Sequence, residues 1–244
     1  MPSKPPSVFD EPQFSNDTSS SRANESPISS LSSKEEESVW DEPGLSPELL
    51  ADSFPKERAF QRRMLKDQEA SPTFAWILTL VLAICSGLWA ILGALFLEFQ
   101  KFGVGGLPML ILIAPLAEEM MKISAPLMLL EKRPALFRSP IQILFCGGVA
   151  GVIFALIENQ IYFKIYLSSP SASLIHWRQT VCVAMHTGCA LIASLGLIQV
   201  WKQSMKDSRP AQGSLGTPYY LVATLIHGGY NLIALWINPV FSMH

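Results

Sequence analysis

Glu118, Glu119 and Lys122 stand within five positions of one another in APLAEEMMKISAP, residues 114–126, inside a stretch otherwise apolar enough to cross a membrane. A charged side chain near a bilayer centre costs about 2.5–3.5 kcal/mol on insertion scales, and such residues seldom face lipid. Glu158, Asn159 and Tyr162 lie near the end of a second apolar run, His186 in a third, and His227 with Asn231 in the last. Acids and imidazoles in that setting can polarise water. In one arrangement, His nitrogens and a carboxylate bind a divalent metal such as Zn2+, and another Glu is the general base. In the other there is no metal. Glu acts directly as base, and His and Asn side chains stabilise a tetrahedral oxyanion. Both arrangements hydrolyse amides.

Spacing predicts how these groups pair. Glu118 precedes Lys122 by four residues, the favourable order for a helical ion pair. Glu119 then points about 100° away around the helix and must find its partner elsewhere. His227 and Asn231 share a helical face, as do Glu158 and Tyr162. At ~1.5 Å per residue, Glu119, His186, His227 and Asn231 fall at one level, in the middle to outer half of a ~30 Å core. Glu158 sits nearer the outer end. Cys182, His186 and Cys189 also share a face. They read first as small residues for close helix packing, with a soft-metal half-site as the alternative. Gly147, Gly148, Gly151, Gly228 and Gly229 read as close-approach positions. Pro115 and Pro126 flank the acids and predict a kink that makes room for water.

These groups must be held by the apolar runs around residues 73–97, 107–130, 141–165, 179–201 and 218–237. Each has the ~20 residues a membrane-spanning helix needs, and no other open structure satisfies its backbone in lipid. The predicted fold class is all-α, a polytopic membrane bundle of about five transmembrane helices. Residues 1–45, rich in Ser, Pro, Asn and Glu, predict a disordered polar tail. Residues 46–72 predict a juxtamembrane helix, with its basic segment KERAFQRRMLKDQE lying on the membrane surface, and 73–241 the transmembrane domain. The first thirty residues lack the apolar core of a signal peptide, so the first span is expected to direct insertion. Basic residues cluster before the first span (Lys56, Arg58, Arg62, Arg63, Lys66), after the second (Lys132, Arg133, Arg138) and after the fourth (Lys202, Lys206, Arg209). The positive-inside rule then places the N-terminus in the cytoplasm and the C-terminus outside. Of 244 residues 49% are hydrophobic, and the net charge of −2 excludes a global basic surface for nucleic acid. Four cysteines in apolar stretches predict buried thiols without disulfides.

The residues also carry a resemblance. EEMMK fits an EExxK motif, ENQIY an ENxxY motif, and VAMHTG and LIHGGYN two histidine motifs in the same order. Over roughly residues 74–237 the chain resembles the PrsW family of intramembrane proteases. More distantly it is similar to the CAAX-protease and bacteriocin-processing superfamily, whose last motif is matched by His227 and Asn231. The resemblance implies an endopeptidase in a bacterial inner membrane that cuts a membrane-tethered protein, such as an anti-sigma or signalling factor. It implies Glu118 and Glu119 as the catalytic acids, one of them activating water. Glu158, His186 and His227 would complete the site as metal ligands or oxyanion stabilisers, assisted by Asn231, with Lys122, Asn159 and Tyr162 in support. Two other classes fit a polar membrane interior: a proton-coupled transporter relaying protons through Glu and His, and a non-catalytic scaffold.

Overall fold

The structure is a computed structural model that describes residues 55–104, 106–166 and 169–241. The predicted tail, residues 1–45, and the first part of the predicted juxtamembrane helix lie outside the described residues. Helix α1 spans Pro55–Gln68 and α2 spans Pro72–Val104. Ser71 starts α2: its hydroxyl accepts from the Phe74 amide at 3.2 Å, and Pro72 fills the first turn, where no intrahelical donor is needed. A π-helical turn, Met109–Ile113, leads into α3, Ala114–Lys132. Helix α4, Pro140–Ile161, runs on into a second π segment, Tyr162–Tyr166. The short α5, Ala172–Trp177, passes through a third, Arg178–Cys182, into α6, Val183–Asp207. Ser208 closes α6 in the left-handed conformation, φ 52°. Helix α7 is Thr217–Phe241.

The chain is all-α among the described residues. Pro72–Leu97, Pro140–Ile165 and Ala172–Asp207 are long and apolar enough to cross a membrane on length and composition alone. Helices α3 and α7 pack into the same bundle, but they carry Glu118, Glu119, Lys122, His227 and Asn231, which lower their hydropathy. Thus, among the described residues, three of the five predicted spans stand on apolarity, and the other two are those that carry Glu118, Glu119, Lys122, His227 and Asn231.

The bundle closes by α4 against α2 and α6, α3 against α2, and α7 against α6 and α3. Ile123, Leu130, Ile143 and Leu197, all fully buried, fill its centre. At Gly151 a Cβ would stand 2.9 Å from Thr187 Cα and 3.0 Å from the His186 carbonyl, so α4 and α6 meet backbone to backbone beside His186. Gly229 has nothing within 4 Å of such a Cβ and is not the close-approach position its sequence context predicts.

Helix α1 docks on the bundle: its buried residues Phe60 and Met64 pack on Ala135 and Met205. Asp67, 1% exposed, accepts from Arg133 Nε at 3.0 Å, and Arg138 donates to the Asp67 carbonyl at 3.0 Å and to that of Ala70. Hydrogen bonding to Asp67 holds the Arg133 guanidinium above its ordinary pKa. Two of the arginines that read as topology signals therefore also clamp α1 to the turn between α3 and α4.

Candidate active site

At the end of the bundle away from α1, a cavity of about 250 Å³ opens among α2, α3, α4, α6 and α7. All three π segments lie at this end. A π turn widens the helix and leaves carbonyls to be satisfied from outside, which is why such turns recur at functional sites. Ile91 and Leu95 of α2 form an apolar wall. Glu118, Glu158, His186, His227, Tyr162 and Asn231 also line the cavity, so the sequence-predicted groups from four helices converge on it.

Lys122 does not pair with Glu118. Its ammonium, 0% exposed, lies 2.8 Å from Glu119 Oε1, 3.0 Å from His186 Nδ1 and 4.1 Å from the centroid of the Phe154 ring. The i,i+3 partner wins over the i,i+4 one because only that side of the helix also offers His186 and the Phe154 face. Glu119 is consequently not the free acid. It is 0% exposed and also meets His227 Nδ1 at 2.8 Å. An ionised carboxylate only accepts, so His227 carries its proton on Nδ1 and turns a bare Nε2 toward Glu118 Oε2, 3.6 Å away.

Glu118 is the acid on the cavity wall. Its Oε2 is buried and has no hydrogen-bond partner among the described residues. Glu158 lies across the cavity, 2.9 Å from His186 Nε2 and 3.5 Å from Arg178. Lys122 only donates, so His186 Nδ1 accepts from it, and neutral His186 gives its Nε2 proton to Glu158. The two imidazoles stack edge to face with centroids 4.7 Å apart.

The supporting residues divide. Asn159 donates to the Arg178 carbonyl at 2.9 Å and accepts from Arg178 Nε at 3.0 Å. Tyr162 stacks under that guanidinium, 3.7 Å from ring centroid to Cζ. Asn231 donates to the Leu110 carbonyl at 3.0 Å. Cys182 Sγ lies 3.7 Å from Glu158 Oε2, whereas Cys189 contacts Met185, so the predicted three-residue metal face is not assembled. All four cysteines are free.

Sequence reasoning missed Arg178. Its side chain is 11% exposed, lines the cavity, and has a terminal nitrogen without a hydrogen-bond partner among the described residues. The signal was a basic residue in a loop where the positive-inside rule wants none. Trp177, which donates to Tyr230 at 3.2 Å and ties α5 to α7 over the cavity, carried no polar-in-membrane signal at all.

Glu118, His186 and His227 each offer a ligand atom within 4.8 Å of the other two, and Glu158, Cys182 and His186 do the same. Carboxylate and imidazole suit Zn2+. Glu118 Oε2, which has no hydrogen bond among the described residues, and the carboxylate-backed His227 Nε2 fit a cation, whereas His186 would first have to release the Nε2 proton it gives to Glu158. The resemblance implied Glu158, His186 and His227 as ligands; Glu158 falls in the second of these groups and Glu118 in the first.

No curated protein and no solved structure matches the chain. A family model does: the one described as PrsW family intramembrane metalloprotease matches residues 71–243. That match covers every helix lining the cavity and well over half the chain, so this protein belongs to the PrsW family of intramembrane metalloproteases.

Proposed function

We propose that the protein is an intramembrane endopeptidase that cleaves a membrane-tethered protein at the cavity, with the N-terminus cytoplasmic and the cavity toward the outer side of a bacterial inner membrane. The observation that carries this reading is Glu118, a carboxylate on the wall of a half-apolar cavity whose Oε2 makes no hydrogen bond among the described residues.

The chain's own residues supply the steps. Glu118 holds a water by its free oxygen and takes its proton as the water oxygen bonds to the scissile carbonyl carbon. The carbonyl electron pair moves onto oxygen, where Arg178 Nη2, ion-paired with Glu158 but without a hydrogen bond among the described residues, donates to the new oxyanion. Collapse breaks the C–N bond, and Glu118 returns the proton to the departing amine. His227, fixed by Glu119, and Glu119, fixed by Lys122, keep the acceptor array rigid. The apolar wall of Ile91 and Leu95 suits an apolar substrate segment and excludes bulk water. A divalent cation would be held by Glu118 and His227, and by His186 once its Nε2 had given up the proton it shares with Glu158. It would supply a Lewis acid for the carbonyl and lower the pKa of water. With Glu118 so engaged, Glu158 is the remaining carboxylate on the wall.

A proton-relay transporter is disfavoured by the connectivity. The contacts Glu118, His227, Glu119, Lys122, His186, Glu158 start and finish on the same cavity, whereas a relay must join two sides. The test is purified protein in liposomes with a tagged single-span bait, products read by mass spectrometry. One discrete cut near the outer end of the bait's span supports the reading. An intact bait at all pH values, with and without added Zn2+, contradicts it.

A further inference from the structure

Asn231 lies on the cavity wall, yet its amide is directed at backbone. The reason begins at Pro115. In the π turn Met109–Ile113, the Ala114 amide bonds to the Met109 carbonyl. The next amide, which π spacing would direct to the Leu110 carbonyl, belongs to Pro115 and does not exist. Leu110 is thus left with an acceptor that neither α nor π spacing satisfies. Asn231 Nδ2 meets it at 3.0 Å. The proline ring also crowds the carbonyl four residues before it, that of Ile111. This carbonyl presses against α7 at Gly228, where a Cβ would stand only 1.9 Å from the Ile111 oxygen.

These two contacts bracket His227. Gly228 follows it directly, and Asn231 lies one turn on. Their partners, Ile111 and Leu110, lie two turns before Glu118 on the same continuous helical run. We propose that Asn231 is a positioning residue, acting through the Leu110 carbonyl that Pro115 deprives of its donor, and that satisfying this carbonyl holds the turn that sets Glu118 against His227. The proposal rests on the peptidase reading for its kinetic consequence and not for its structural one. It replaces the oxyanion role that the sequence offered for Asn231.

Three variants test it: Asn231→Ala, Pro115→Ala, and the two combined. The second returns an N–H at position 115 for the Leu110 carbonyl. Asn231→Ala is expected to lower kcat on the tagged bait about 100-fold with little change in KM, the scale of a small misplacement of catalytic groups. It is also expected to lower the unfolding midpoint in detergent. The double variant is expected to recover at least about tenfold of kcat and most of the midpoint, since a backbone N–H replaces the side-chain donor on the Leu110 carbonyl. A double variant no more active and no more stable than Asn231→Ala overturns the proposal and leaves Asn231 acting on substrate. Should wild-type protein fail to cut the bait, the peptidase reading falls. The midpoints alone then decide: coupling between the two sites supports the contact, and strict additivity overturns it.

Discussion

Glu119 Oε1 lies 2.8 Å from His227 Nδ1 and joins α3 to α7 across 108 positions of sequence. The same oxygen receives Lys122 at 2.8 Å. Two neighbouring glutamates therefore do different things. Glu119 is consumed by the scaffold, and Glu118 faces the cavity.

The buried pair makes the first prediction. Lys122 and Glu119 are both 0% exposed, so removing either charge strands the other. Lys122→Met and Glu119→Gln are each expected to destabilise the fold by about 3–5 kcal/mol. Denaturation in detergent micelles measures this. The double variant Glu119→Gln with Lys122→Met is expected to recover much of the loss, and to stay less active than wild type because a neutral amide oxygen orients His227 less firmly than the carboxylate does.

Arg178→Gln is expected to cut kcat about 100-fold with KM nearly unchanged, the loss typical of one oxyanion donor. Steady-state kinetics on the bait checks it. A change confined to KM would make Arg178 a substrate-binding group instead.

The cation site is tested by zinc affinity against a chromophoric chelator. Glu118→Ala and His227→Ala are each expected to weaken binding at least about 100-fold, since both are ligands in the compact set. Abolition of binding by Glu158→Ala, with Glu118→Ala unaffected, would move the site to the other wall.

The docking of α1 is tested by limited proteolysis. Asp67 is 1% exposed and Arg133 side-chain atoms are 46% exposed, so the buried partner is the sensitive one. Arg133→Ala leaves Asp67 with fewer donors and is expected to cost about 1–3 kcal/mol of local stability. Cleavage within 55–68 should accelerate in that variant, and Lys66→Ala, an exposed change, should leave it as in wild type.

Much of this site was legible because charge in a membrane-length helix is costly, so each polar residue pointed to a use. The motif order placed Glu118, Glu158, His186 and His227 together, and the structure brings them to one cavity. Local spacing failed where tertiary partners decide. Lys122 had two acids within reach on its own helix, and His186 from α6 fixed the choice. Asn231 owes its partner to a proline more than a hundred residues away that breaks a π turn, which no helical wheel of α7 reveals. Arg178 was read as a loop charge, and the docking of Phe60 and Met64 of α1 on the bundle was not foreseen, because composition cannot say which surface covers a face.

The central claim is that Glu118 faces the water and Glu119 does not. The direct measurement is single-turnover cleavage of the tagged bait in liposomes by wild type and by Glu118→Gln, with unfolding midpoints recorded alongside. Glu118→Gln is expected to keep a midpoint near that of wild type, because its Oε2 makes no hydrogen bond, and to lose at least about 100-fold in the rate of the chemical step. Glu118→Gln cleaving the bait at the wild-type rate would contradict the account.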